Sequence, residues 1–306
     1  MSMPTQRPVS RRGVLAAAGA AVTGGCISVV GGRIGVDGTA RDDRVSVLAA
    51  GSLARAFSDL GDGLDATVQV ETHGSVTCAR LLAEGQRDPD IVALADPALF
   101  GTVLSESWHA QVATNALVIV YDPESSGGRA VRDAERWFDP VVAGEATLGR
   151  TDPDLDPLGY RTVFALQLAA ERDDRPELVE RALRPEQVYP ETSLLSRFET
   201  GELDAAVVYR SMASDRGFPF RELPAAVDLS DPARDEAYRR ASYTLASGET
   251  VTGKHIAYGV RARADDEATR RTFETIASGD LLANRGFVVP ETFPAFEGEV
   301  PRGYRR

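Results

Sequence analysis

Short apolar runs alternate with amphipathic stretches along most of the chain, and this pattern predicts an α/β fold. Apolar residues repeat at helical spacing after each of the first three runs, for example at Leu53, Phe57 and Leu60. Three strand–helix units within roughly 60 residues favour a parallel sheet with helices on its faces. The predicted strands are 45–49, 66–71, 90–95, 116–121, 146–148, 204–209 and 255–260, and the main predicted helices are 159–172, 191–200 and 265–278.

Two of the predicted strands end in the same dipeptide, Gly51-Ser52 and Gly74-Ser75, just before a predicted helix. In parallel sheets, ligands bind beyond the carboxyl ends of the strands. A helix N-terminus there offers free N–H groups and a partial positive charge, and serine adds a hydroxyl donor. Two such ends side by side predict an anion pocket that needs no lysine or arginine. The alternative is that both serines only cap their helices.

The first 26 residues have the features of an export signal. Paired arginines, Arg11-Arg12, precede an apolar stretch at 14–22 that is too short to span a bilayer, and Thr-Gly-Gly-Cys follows at 23–26. We predict a twin-arginine lipoprotein signal over 1–26, acylation of Cys26, and a tether over 27–43. Alternatively, Cys26 is an incidental small residue. If Cys26 carries lipid, no disulfide is available to the other cysteine, Cys78, which is expected to be a small buried residue.

The chain is acidic, with a formal net charge of −12 and a single lysine, Lys254. Such a surface suits high salt, as in a halophilic protein, because salt screens the self-repulsion. It argues against nucleic acid as a partner. It does not exclude a buried anionic ligand, because local donors and dipoles act on that ligand more strongly than distant surface charge.

Several segments resemble the archaeal-type molybdate/tungstate-binding proteins of ABC transporters, in a collinear match from about residue 44 to 290. These proteins have the type II periplasmic-binding-protein fold. The segments that carry the resemblance are Ala50-Gly51-Ser52-Leu53, Gly74-Ser75-Val76, Asp90-Ile91-Val92-Ala93, Asp156-Pro157-Leu158-Gly159-Tyr160-Arg161, Gly201-Glu202-Leu203-Asp204, Val208-Tyr209-Arg210-Ser211 and Val251-Thr252-Gly253-Lys254. Leu158 stands where the family usually has cysteine.

The resemblance implies a set of ligand-binding residues. Ser52 and Ser75 would donate to the oxyanion from one lobe, and Tyr209 from the other. Asp156 and Glu191 would bind the metal centre of the oxyanion itself and expand its coordination from tetrahedral to octahedral. Read without the resemblance, Asp156 makes a turn before Pro157 and Glu191 favours the first turn of its helix.

The resemblance further implies two α/β lobes, 44–112 with 213–306 and 113–212, which close on the ligand. We expect a monomeric, lipid-anchored protein on the extracellular face of the membrane that delivers tungstate or molybdate to an ABC permease. No catalysis and no cofactor are expected. The alternatives are a binding protein for sulfate or phosphate, a secreted hydrolase that uses Asp156 and Glu191, and a surface protein that has lost its ligand.

Overall fold

Strands and helices alternate throughout residues 44–305, the part of the chain that the computed structural model describes. The predictions for 1–26, including Cys26, and for 27–43 lie outside these residues. The strands are β1 Arg44–Ala50, β2 Thr67–His73, β3 Ile91–Leu94, β4 Trp108–Thr114, β5 Leu117–Tyr121, β6 Leu148–Thr151, β7 Val188–Tyr189, β8 Ala205–Tyr209, β9 Phe220–Glu222, β10 Ser242–Thr244, β11 Thr250–Thr252, β12 Ala257–Ala262 and β13 Ala295–Gly298.

The α-helices lie on the faces and at the edges of the sheets. They are α1 Ser75–Ala83, α2 Ala98–Thr102, α3 Ser126–Asp133, α4 Asp139–Ala143, α5 Pro157–Arg172, α6 Leu178–Ala182, α7 Glu191–Glu199, α8 Arg210–Arg216, α9 Asp235–Tyr238, α10 Glu267–Ala277 and α11 Asp280–Ala283. None of these helices, within residues 44–305, is both long and apolar enough to cross a membrane.

The first sheet has six strands in the order β13-β4-β12-β3-β1-β2. β1 runs parallel to both β2 and β3, which confirms the predicted parallel arrangement for these three strands. β12 pairs antiparallel with β3 and β4, and β13 pairs antiparallel with β4. The central strand β3 is buried along its whole length, as expected for an apolar run covered on both faces.

The second sheet has five strands in the order β7-β6-β8-β5-β9. Its central strand β8 is buried at every residue and ends at Tyr209. β6 is parallel to β8, whereas β5 is antiparallel to it. Helices α5 and α7 follow β6 and β7 and pack on this sheet, so that their N-termini lie at the same edge as the end of β8.

Two segments cross between the sheets. The chain leaves β4 at Thr114 and enters β5 at Leu117, and it returns between β9 and β12. The crossings are joined by backbone hydrogen bonds, including Asn115 N–H to Ile256 O (3.3 Å). Sheet membership differs from the predicted lobe boundaries. Thr114 pairs within the first sheet, and the strand Phe220–Glu222, predicted in the first lobe, pairs within the second.

The two Gly-Ser segments fold differently. Ser75 begins a regular α-helix, as predicted. The predicted helix after Gly51-Ser52 is wrong, because this segment forms two short 3₁₀ turns, Gly51–Leu53 and Ala56–Asp59. The apolar spacing still has its predicted effect, since Leu53, Phe57 and Leu60 are all buried. Successive 3₁₀ turns bury the same side chains over a stretch too short for a cooperative α-helix.

Candidate functional site

Five predicted ligand-binding residues come together where the ends of elements from both sheets face each other. Ser52 follows β1 and Ser75 begins α1, both on the first sheet. On the second sheet, Asp156 immediately precedes α5, Glu191 begins α7 and Tyr209 ends β8. All five side chains are buried. The two serines lie on one sheet and the other three residues on the other. Because all five side chains are buried, the cleft between the two sheets is closed in this structure.

The backbone of the two lobes touches at this cleft. The Thr77 amide on α1 donates to the Leu155 carbonyl, at 3.0 Å, on the loop before α5. A methyl group placed on Gly74 would lie 2.4 Å from that same carbonyl oxygen and 2.6 Å from Asp156 Cβ. On Gly51, it would lie 2.8 Å from Oε2 of Glu191. Glycine is therefore needed at Gly74 for the lobes to approach this closely.

Two of the predicted hydroxyl donors, Ser75 and Tyr209, each accept a hydrogen bond from another group of the protein. The Ala95 amide donates to Ser75 Oγ at 2.9 Å, and Arg161 Nη1 donates to the Tyr209 hydroxyl at 2.8 Å. A hydroxyl that already accepts a hydrogen bond has its own proton available for another acceptor. Burial raises the pKa of Tyr209 well above its usual value, so that this residue is a neutral donor.

Arg161 contacts the site through the Tyr209 hydroxyl, and it bridges the lobes. From α5 it donates to the Ala95 carbonyl at 2.6 Å, and its Nη2 lies 3.8 Å from Asp96 Oδ2. Tyr160 donates to the same Asp96 oxygen. Arg161 therefore holds both the first lobe and Tyr209. It lies in the Asp156–Arg161 segment that carries the resemblance, but the sequence assigned it no role in the site.

Asp156 has a structural role beside its predicted one. Its side chain caps α5 and accepts from the Gly159 amide at 3.1 Å. The Thr151 hydroxyl, which sequence reasoning missed, donates to it at 2.8 Å. Both hydrogen bonds end on Oδ1. Burial raises the pKa of Asp156 despite these two donors.

Glu191 has no such support. Neither of its carboxylate oxygens has a hydrogen-bond partner within residues 44–305, and the same holds for the Ser52 hydroxyl. Burial raises the pKa of Glu191, and the nearby Asp156 carboxylate raises it further. The Ser52 hydroxyl and the Gly51 and Ser52 amides face the carboxylate and offset part of this rise, although their geometry falls outside that of hydrogen bonds.

Three buried oxygen atoms without partners, two on Glu191 and one on Ser52, lie together at the cleft. A buried polar atom without a partner costs about 1–3 kcal/mol, and a buried charge costs more. Glu191 and Ser52 also line a cavity of about 220 Å³ at the cleft, whereas Ser75, Asp156 and Tyr209 are not among its lining residues. The arrangement fits a small ligand whose outer atoms accept hydrogen bonds from the hydroxyls. Its central atom would be coordinated by the carboxylate oxygens.

The chain belongs to the bacterial extracellular solute-binding protein family, whose sequence model matches residues 45–280. A Haloferax volcanii protein named as a candidate ABC transporter molybdenum-binding protein is 50% identical over 295 residues, covering 95% of this chain and 96% of its own. The molybdate/tungstate-binding protein WtpA of Pyrococcus abyssi is 27% identical over 260 residues, covering 72% and 76%. The resemblance predicted from the sequence motifs is therefore confirmed.

Solved structures of low sequence identity share the fold. The periplasmic binding protein AfuA of Actinobacillus pleuropneumoniae aligns with a TM-score of 0.53 and 11% identity, covering 81% of this chain and 85% of its own. PEB3 with bound L-phospholactate aligns with a TM-score of 0.53 and 9% identity, covering 80% and 100%. The predicted two-lobed α/β periplasmic-binding-protein fold is confirmed.

Proposed function

We propose that this protein captures tungstate or molybdate in the cleft between its lobes and delivers it to an ABC permease. Membership of an extracellular solute-binding family supports transport rather than catalysis. The names of the relatives support the oxyanion. The role is binding and release, with no chemical turnover and no resident cofactor.

The observation that carries this proposal is the Glu191 carboxylate, which is buried beside Asp156 and has no hydrogen-bond partner within residues 44–305. Two carboxylates that face a dianion would repel it at close range in a cleft of low dielectric. They become favourable only if their oxygens bind the hexavalent metal centre as ligands. We infer that Asp156 and Glu191 add to the four oxo ligands of the metal.

The hydroxyl donors complete the site around the oxyanion oxygens. Ser75 and Tyr209 are polarised by Ala95 and Arg161, and Ser52 has a free hydroxyl. Each hydrogen bond to a charged oxygen contributes about 1.5–3 kcal/mol. The donors come from both lobes, so the ligand binds the closed cleft better than the open one and shifts the population to it.

The same carboxylates would make the site selective. Sulfate and phosphate have the same tetrahedral shape and charge range, but their central atoms do not accept two further oxygen ligands. For these anions, Asp156 and Glu191 would be uncompensated negative charges in a closed cleft. The pair therefore favours the transition-metal oxyanions partly by rejecting the others.

The location of the protein follows from the N-terminal sequence together with the family. The twin-arginine motif and Cys26 support export and a lipid anchor on the extracellular face of the membrane. We also expect the protein to act as a monomer. Mass spectrometry of the membrane-extracted protein tests the anchor. A mature chain that begins at acylated Cys26 is expected, and an unmodified Cys26 would contradict it.

Isothermal titration calorimetry with tungstate, molybdate, sulfate and phosphate tests the function. Wild-type protein should bind the first two at least about a hundredfold more tightly than the last two. Glu191→Gln should weaken tungstate binding strongly while improving binding of sulfate relative to tungstate. Equal affinity of the wild type for sulfate and tungstate would overturn the role of the two carboxylates.

A further inference from the structure

A second tyrosine, Tyr258 on β12, lies against the same site from the first lobe. Its side chain is fully buried, and its ring lies 6.0 Å from the Tyr209 ring in an edge-on contact. Burial raises the pKa of Tyr258, and among the site residues the Ser52 hydroxyl lowers it while the Glu191 carboxylate raises it. Its neighbours are therefore the groups that surround the proposed ligand.

The Tyr258 hydroxyl accepts a hydrogen bond from Asn115 Nδ2 at 3.3 Å. Within residues 44–305, no acceptor for its own proton lies in hydrogen-bonding geometry. This is the arrangement already described for Ser75 and Tyr209, whose hydroxyls accept from Ala95 and Arg161. In each case a fixed donor occupies the oxygen, and the hydroxyl proton is available to an anion.

Hydrogen bonds hold the Asn115 side chain in the orientation in which its Nδ2 donates to the Tyr258 hydroxyl. Its Oδ1 accepts from the amides of Ala116 at 3.0 Å and Ser211 at 3.2 Å, and its Nδ2 also donates to Ser211 Oγ at 2.7 Å. Two N–H donors on the oxygen fix which end of the amide faces Tyr258. Asn115 lies in the crossing between β4 and β5, so its position depends on the relative placement of the lobes.

We propose that Tyr258 is a further ligand-binding residue, whose hydroxyl donates to an oxygen of the bound oxyanion, and that Asn115 is the positioning residue that aims it. This inference rests on the proposed function, since it needs an oxyanion in the cleft. The donor set then includes two tyrosines, one from each lobe. Asn115 connects the crossing segment to the ligand through Tyr258, so that this donor is aligned when the lobes are closed.

Calorimetry of tungstate binding to Tyr258→Phe tests the inference. Loss of one hydrogen bond to a charged oxygen should weaken binding by about ten- to hundredfold. The melting temperature of the ligand-free protein should change little, because the hydroxyl makes only the long bond with Asn115. A matched control is Tyr238→Phe, which removes an equally buried hydroxyl that donates to the Ala225 carbonyl at 2.6 Å. This control should lower the melting temperature and keep the affinity for tungstate.

A double-mutant cycle with Asn115→Ala separates positioning from general damage. If Asn115 acts through Tyr258, its substitution should weaken binding clearly in the wild type and much less in the Tyr258→Phe background. Equal losses in both backgrounds would overturn the positioning role.

The controls distinguish the two proposals. Tyr258→Phe that binds tungstate as tightly as a strongly binding wild type would overturn this inference and leave the proposed function intact. A wild type that binds neither tungstate nor molybdate would overturn both.

Discussion

The two buried carboxyl groups of the second lobe differ in how much of their environment is complete without a ligand. Asp156 caps α5 and has two donors, Thr151 and Gly159, on one oxygen. Glu191 begins α7 and has no partner for either oxygen within residues 44–305. We therefore expect Asp156 to serve both the fold and the proposed ligand, and Glu191 to serve the proposed ligand alone. The difference predicts that the two residues respond differently to substitution, since only Asp156 has hydrogen bonds that the fold would lose.

Paired alanine substitutions should separate the two residues most strongly. Both Asp156→Ala and Glu191→Ala should weaken tungstate binding by about a hundredfold or more, because each removes a proposed ligand of the metal centre. Only Asp156→Ala should also lower the free energy of unfolding of the ligand-free protein, by about 1–2 kcal/mol, through loss of the helix cap. Calorimetry and chemical denaturation measure the two effects. Equal destabilisation by both variants would contradict the claim that only Asp156 also stabilises the fold.

Closure should fail when the closest backbone approach is blocked. Gly74→Ala would place a methyl group 2.4 Å from the Leu155 carbonyl oxygen, so that the lobes must stay further apart. Tungstate affinity should fall by about tenfold or more, and small-angle X-ray scattering should show less compaction on ligand addition. Gly101→Ala is the matched control, because a methyl group there meets nothing within 4 Å. Full compaction of Gly74→Ala would contradict this description of the cleft.

The raised pKa values of the pair predict a pH dependence of the ligand-free protein. At a pH above the ordinary pKa of carboxyl groups, the folded, closed protein binds more protons than the unfolded chain, because the pKa values of Asp156 and Glu191 are raised only in the folded state. The free energy of unfolding should therefore fall as the pH rises. Glu191→Gln should remove much of this dependence, while Glu199→Gln on the exposed end of α7 should keep it. Thermal melts of the ligand-free proteins from about pH 5 to 8 measure the slope. A wild-type stability that rises steadily over that range would contradict the raised pKa values.

The smallest effect should come from the residue that supports Asp156. Thr151→Val keeps the shape of the side chain and removes the hydroxyl that donates to Oδ1. Tungstate affinity should fall by a few-fold, in line with about 0.5–1.5 kcal/mol for one hydrogen bond. Thr162→Val is a suitable control, since this buried hydroxyl on α5 donates only to the Leu158 carbonyl of its own helix. A loss from Thr151→Val as large as that from Asp156→Ala would show that the cap itself depends on Thr151.

The sequence predicted many of the elements, and the positions of the two serines in the cleft, because both depend on local patterns. Apolar runs marked β1, β3 and β8, and the strand ends located Ser52 and Ser75. The antiparallel strands of the first sheet depend on pairing between distant segments, such as β4 with β13, which no local pattern specifies. The predicted helix at Leu53 was wrong because the same apolar spacing fits consecutive 3₁₀ turns.

The parts of the site that the sequence did not predict are contacts between distant side chains. Asp156 and Glu191 were assigned from resemblance, yet only the structure shows that one is hydrogen-bonded and the other is not. Tyr258 gave no signal, because a tyrosine within an apolar strand is typical of an ordinary core residue. Its relation to Asn115 requires the fold to bring residues 143 positions apart into contact.

X-ray absorption spectroscopy at the tungsten edge reports the number of oxygen ligands around the bound metal, and therefore shows whether the two carboxylates bind it. We expect six oxygens around the metal in wild-type protein loaded with tungstate, four at short and two at longer distances, and a smaller number in Glu191→Gln. A four-coordinate tetrahedral spectrum in the tightly binding wild type would contradict the claim that Asp156 and Glu191 bind the metal centre.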